Sequence, residues 1–120
     1  MPSNQAGAAG TVVRTPLLTA LLEGVGPIGR VEIKRIEFQP GQRSPRHLHP
    51  CPVVGFIASG AVAFQIDGQP EQILPQGAAF YEPAGTAIRR FDNASDSEPM
   101  TFIAFYLLGA DQNELIRMLG

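Results

Sequence analysis

Residues 41–60 read GQRSPRHLHPCPVVGFIASG, and the reading of the chain turns on the step His47-Leu48-His49 inside that stretch. In an extended strand, residues two apart project from the same face, roughly 6.6 Å apart along the chain. Both imidazoles can therefore converge on one small ion or polar ligand. The surrounding spacing is Gly41, five residues, His47, one residue, His49, three residues, Val53, six residues and Gly60. Pro40-Gly41 in front of it is a good turn pair, because proline presets the first central φ and glycine accepts a positive φ at the second. Behind it, residues 53–59 and 61–66 read as a hairpin around Ser59-Gly60, with Val62, Phe64 and Ile66 marking one face of the second strand.

Strand signals continue on both sides. Over residues 30–39 the apolar alternation slips phase, from Val31 and Ile33 to Ile36 and Phe38, and a bulge near Lys34 and Arg35 would account for the slip. Asp67-Gly68 supplies a tight turn. Apolar runs at 73–74, 78–81 and 87–91 are separated by Pro75-Gln76-Gly77 and Pro83-Ala84-Gly85. Residues 100–108 are nearly continuously apolar, as in a strand covered on both faces. Val62, Phe64, Ile66, Phe102 and Phe105 are expected in buried cores, although Phe102 and Phe105 must face opposite sides of a regular strand. Residues 111–119 predict a short closing helix: Asp111 can cap it, Glu114 follows three residues on, and Leu115, Met118 and Leu119 share a side. Residues 12–22 fit either a helix or, given Pro16 and the threonines, an extended arm. Residues 1–10 are small and polar and are expected to form a disordered tail, with one domain over 11–120. This pattern alone indicates an all-β sandwich or barrel.

A second spaced set follows at Gly77, five residues, Pro83, one residue, Gly85, two residues, Ile88, three residues and Asp92. The two sets together resemble the paired motifs of small single-domain cupins, over roughly residues 29–108. The resemblance implies a double-stranded β-helix, the cupin jelly roll. It also implies a divalent metal bound at the histidine pair. In the family a glutamate usually stands at the Val53 position, a histidine at the Ile88 position and an asparagine at the Asp92 position. The metal site implied here is therefore degenerate.

Composition limits the alternatives. The chain has 120 residues, net charge −2 and 17% charged residues with no basic cluster, which argues against nucleic acid and anionic membranes as partners. The single cysteine, Cys51, has no internal disulfide partner, and the N-terminus lacks the positive start of a signal peptide. The cytoplasm is the expected location. A small chain with 44% hydrophobic residues leaves apolar surface to cover, so a homodimer is expected, with the 12–22 arm contributing.

His47 and His49 are the candidate metal ligands, and imidazole suits zinc, nickel, iron or copper, with manganese a further candidate. Two ligands hold an ion weakly. Cys51 continues their parity and its thiolate could ligate, but Pro50 and Pro52 turn the chain away there, so it reads first as a small buried residue in a loop. Glu82 carries the right charge and stands at a rim turn before Pro83. Val53 and Ile88 are expected to line the site as apolar wall. Of Arg89 and Arg90, at most one can enter the barrel to hold a carboxylate. Two functions follow: a small-molecule-binding barrel with a weak or partial divalent site, or a metal-dependent enzyme of dioxygenase, isomerase or lyase type acting on an oxygen-bearing substrate.

Overall fold

The computed structural model describes residues 10–120; the tail expected over residues 1–10 lies, apart from Gly10, outside them. Two antiparallel sheets face each other. One has the order β1-β8-β3-β6, from β1 (Arg30–Phe38), β3 (Val53–Ser59), β6 (Ala79–Glu82) and β8 (Met100–Leu108). The other has the order β5-β4-β7-β2-β9, from β2 (His47–Leu48), β4 (Ala61–Ile66), β5 (Gln72–Pro75), β7 (Ile88–Asn93) and β9 (Arg117–Met118). This is the expected all-β jelly roll. Among the described residues no helix is long and apolar enough to cross a membrane.

Between the sheets lies an apolar core in which Phe64, Phe80, Phe91 and Phe102 meet edge to face or tilted, with centroids 5.0 Å apart for the edge-to-face pair Phe80 and Phe91 and 4.6 Å for the tilted pair Phe91 and Phe102. Such packing satisfies the aromatic quadrupoles as well as burying area. Phe102 faces this core at 8% exposure, whereas Phe105, odd in the alternation of β8, faces outward over a groove shared with Leu17 and Leu18. Ile66 packs at the core margin.

Three local expectations are corrected. The phase slip of β1 is not a bulge: its register with β8 runs unbroken from Arg30↔Leu108 to Phe38↔Met100. Ile36 and Phe38 pack against the core, while Val31 and Ile33 sit outward, 49% and 61% exposed. Ser59-Gly60 is not a hairpin turn either. β3 pairs with β6 and β8, and β4 pairs with β5 and β7, so the chain crosses there from one sheet to the other. Gly60 makes the corner with φ 78°, and a Cβ would stand 2.8 Å from the Pro99 carbonyl oxygen, so only glycine fits.

The closing helix does not form. The C-terminal segment runs as a strap that ends in β9, paired with β2 as His47↔Met118 and Leu48↔Arg117. Arg30 holds it by donating to the Ala110 and Gln112 carbonyls, and the Gln112 amide donates to the Pro50 carbonyl at 3.0 Å. A nine-residue helix is marginal on its own. The free edge of β2 offers the same backbone the hydrogen bonds of a sheet. The 12–22 arm is likewise not helical, and the Tyr81 hydroxyl donates to the Leu21 carbonyl.

Candidate metal centre

β2 is only two residues long, yet it lies between β7 and β9 and presents His47 inward. His49 follows one step beyond, and the next turn is tied to it where the Gly85 amide donates to the His49 carbonyl at 2.8 Å. Both rings are oriented from behind. His47 Nδ1 lies 2.8 Å from the Pro45 carbonyl oxygen and His49 Nδ1 lies 2.7 Å from that of Leu115. A carbonyl only accepts, so each Nδ1 carries a proton and donates, which leaves Nε2 facing forward, a lone pair when the ring is neutral and a donor to Glu82 when it is protonated.

Glu82 stands in front of them. Its Oε1 is 3.2 Å from His49 Nε2 and its Oε2 is 3.6 Å from His47 Nε2. Among the described residues, His47, His49 and Glu82 form a group whose ligand atoms all lie within 4.8 Å of one another, and all three are buried. β3 and β6 bring this about through the register Val53↔Glu82. Directly opposed residues share a face, so the carboxylate that the resemblance placed at position 53 is delivered from the strand across.

Electrostatically the trio demands a positive charge at its centre. Burial pushes the Glu82 carboxyl toward the neutral form, but hydrogen bonding and charge from the two imidazoles outweigh it and hold it below the ordinary value. Burial pulls His47 down, yet Glu82, the Pro45 carbonyl and the charge of Asp92 together leave it raised. A carboxylate facing two nitrogen lone pairs is stable only if a proton or a cation lies between them. Glu82 Oε2 is buried with no hydrogen-bond partner. Two neutral imidazoles and a carboxylate with a spare oxygen are a donor set that fits a divalent ion.

The remaining candidates divide clearly. Cys51 is fully buried in the core and lies outside the trio, with its thiol pushed up by burial. Val53 lines the cavity beside Glu82. Ile88 stands across from His47 in the β2–β7 register and shares its face, packed wholly into the core. Asp92 is structural: Oδ1 accepts from the Ser44 amide at 2.9 Å and Oδ2 faces Arg90. Neither arginine enters the barrel, since Arg89 is exposed and Arg90 pairs with Glu71 and Asp92 outside it. Sequence reasoning ranked Glu82 no higher than a rim residue because its partner strand was not readable. It missed Tyr106, whose ring lies 5.8 Å from that of His49, and the Leu115 carbonyl.

A cavity of about 260 Å³ opens in front of the trio, walled by Ile36, Phe38, Phe91 and Phe102, with Ile116 and Met118 of the strap at one side. Burial, reinforced by the charges of Glu82, Cys51 and Glu32, pushes the Tyr106 phenol up to about 12, so it faces this space as a neutral hydroxyl.

The family described as Cupin domain matches residues 34–106. Among solved structures, the chain is similar to a cupin-like protein from Thermotoga maritima, with 22% identity and TM-score 0.64 over 75% of this chain and 65% of that one. It is also similar to an oxalate oxidase solved with the substrate analogue glycolate, with 25% identity and TM-score 0.60 over 74% of this chain and 46% of that one. A third is a sugar phosphate isomerase of the cupin superfamily from Silicibacter pomeroyi, with 25% identity and TM-score 0.58 over 68% and 52%. The chain thus spans about half to two thirds of the length of these proteins. No match was found among curated proteins.

Proposed function

Because this chain belongs to the cupin domain family, we propose that its barrel binds a small molecule at a divalent ion held weakly by His47, His49 and Glu82. One observation carries the reading: two backbone-oriented imidazoles aim Nε2 at a buried carboxylate whose second oxygen has no hydrogen-bond partner. Zinc, nickel, iron, manganese and copper all accept such donors. When bound, the ion would supply Lewis acidity toward an oxygen of the ligand. The protein's own contribution is to fix both imidazoles and to surround the ligand with apolar wall. The site stays weak because Ile88 occupies the position from which a further imidazole would project.

Elemental analysis of untagged protein, followed by competition titration with a chromogenic chelator, tests this. Stoichiometric binding that is lost in His49→Ala and Glu82→Gln is expected. Equal affinity in wild type and Glu82→Gln would overturn the assignment.

A metal-dependent enzyme is the second reading. It is favoured by the donor set itself, since two histidines and one carboxylate leave coordination positions open for substrate. The oxalate oxidase and the sugar phosphate isomerase show that the fold carries enzymes in other proteins. A second copy of the chain is the proposed partner. The support is an unusually apolar exterior: Val12, Val13, Leu17 and Leu21 of the arm and Val31 and Ile33 of β1 are each at least 49% exposed. Sedimentation at micromolar concentration that finds only a 12.8 kDa species would reject the dimer.

A further inference from the structure

The walls of the cavity show what kind of molecule it suits. β1, β7 and β8 contribute Ile36, Phe38, Phe91 and Phe102, so a ligand in contact with them is apolar through its middle. About 260 Å³ corresponds to roughly nine waters at about 30 Å³ each, which restricts the ligand to a small one.

Most polar groups in the wall are already engaged. Gln42 Oε1 accepts from the Gln39 amide at 2.9 Å, and Ser44 Oγ bonds the Pro45 carbonyl and His47 Nδ1. Arg43 is different. It lies at the rim, exposed, with no carboxylate partner among the described residues, whereas Arg30, Arg35, Arg46, Arg90 and Arg117 are each paired with an acid; Arg14 and Arg89 also lack such a partner but do not line this cavity. The Tyr106 hydroxyl also lacks a protein partner among the described residues, and Tyr106 lines the same cavity with its ring beside that of His49.

We propose that the ligand is a small carboxylic acid with an apolar body, its carboxylate on the Arg43 guanidinium at the rim and a hydroxyl or carbonyl oxygen at the far end toward Tyr106 and the His47, His49 and Glu82 trio. The inner oxygen rests on the ion-binding reading above; the carboxylate end does not. A planar guanidinium matches a carboxylate with two parallel hydrogen bonds. One guanidinium fork meets both oxygens and the whole charge of a carboxylate but only part of a phosphate dianion, so the single cation favours the smaller anion.

The test uses 4-hydroxyphenylacetate, its neutral amide 4-hydroxyphenylacetamide, and 4-methylphenylacetate, titrated calorimetrically into wild type and Arg43→Gln, with and without zinc. The acid should bind wild type at least tenfold more tightly than the amide whether or not zinc is present. Arg43→Gln should bring acid and amide within about twofold, and Arg43→Lys, which keeps the charge but loses the fork, should fall between. Equal binding of acid and amide by wild type, no binding of the acid at millimolar concentration, or an undiminished preference in a folded Arg43→Gln would each overturn the proposal. The hydroxyl probe reports separately on the ion. A zinc-independent ratio of 4-hydroxyphenylacetate to 4-methylphenylacetate would refute the inner-end contact and leave the Arg43 comparison to stand or fall by itself.

Discussion

Replacing Ile88 by histidine tests the geometry of the metal centre most directly. Ile88 and His47 are directly opposed in the β2–β7 ladder, which sets their Cβ atoms about 4.5–5.5 Å apart on one face. An imidazole at 88 can then lean beside that of His47 and raise the donor count from three to four. Two costs oppose it. Ile88 is 0% exposed, so the lost apolar burial is about 1.5–3 kcal/mol. A ring nitrogen left unpaired in the wall adds about 1–3 kcal/mol. The metal-free variant should therefore be about 2.5–6 kcal/mol less stable than wild type. Zinc removes the second cost by using the nitrogen. Affinity should rise at least tenfold, or about 1.4 kcal/mol, and the zinc-induced increase in Tm should be larger in the variant than in wild type, because a ligand that binds only the folded state stabilises it by mass action. Chelator competition and thermal melts with and without zinc measure both quantities. Unchanged affinity in Ile88→His, with the fold intact by circular dichroism, would refute the placement of residue 88 beside the trio.

Deleting residues 109–120 should weaken zinc binding by about 10- to 100-fold, because the Leu115 carbonyl that orients His49 is lost; chelator competition showing full affinity in a folded truncation would contradict this. Phe91→Ala should cost about 3–5 kcal/mol in chemical denaturation, since the ring is 3% exposed and packs edge to face against Phe64 and Phe80; a loss under about 1 kcal/mol would mean that the aromatic cluster does not carry the core. Above about pH 10 the unfolded chain loses the Tyr106 proton, while the folded chain keeps it to about 12. Stability should then fall as pH rises through that window and be unaffected by this group below it. Denaturation midpoints from pH 9 upward should decline less steeply in Tyr106→Phe, and identical slopes would remove Tyr106 as the cause.

The fold was legible because its signals are local. Turn pairs such as Asp67-Gly68 and the nearly continuous apolar run of residues 100–108 are written in neighbouring residues, and they appear in the structure as a turn and as β8. What depends on pairing was not legible. Gly60 has the same turn chemistry whether it closes a hairpin or carries the chain between sheets, and only the Pro99 carbonyl against it decides for the crossing. Residues 111–119 have a helical pattern that loses to the unpaired edge of β2, an edge that does not exist until β7 has placed that strand. Glu82 follows the same logic. Its charge was visible, but its register opposite Val53 was not, and that register turns two histidines into a three-donor centre. The departure at Val53 and the carboxylate at Glu82 therefore belong to one arrangement: a carboxylate on either of two directly opposed residues reaches the same point inside the barrel, so moving it across the ladder preserves the donor while the original position becomes apolar wall. Ile88 has no such substitute. Its other cross-strand neighbour is Ile66, which has no donor to offer, and the side of the centre facing β7 is left without a ligand.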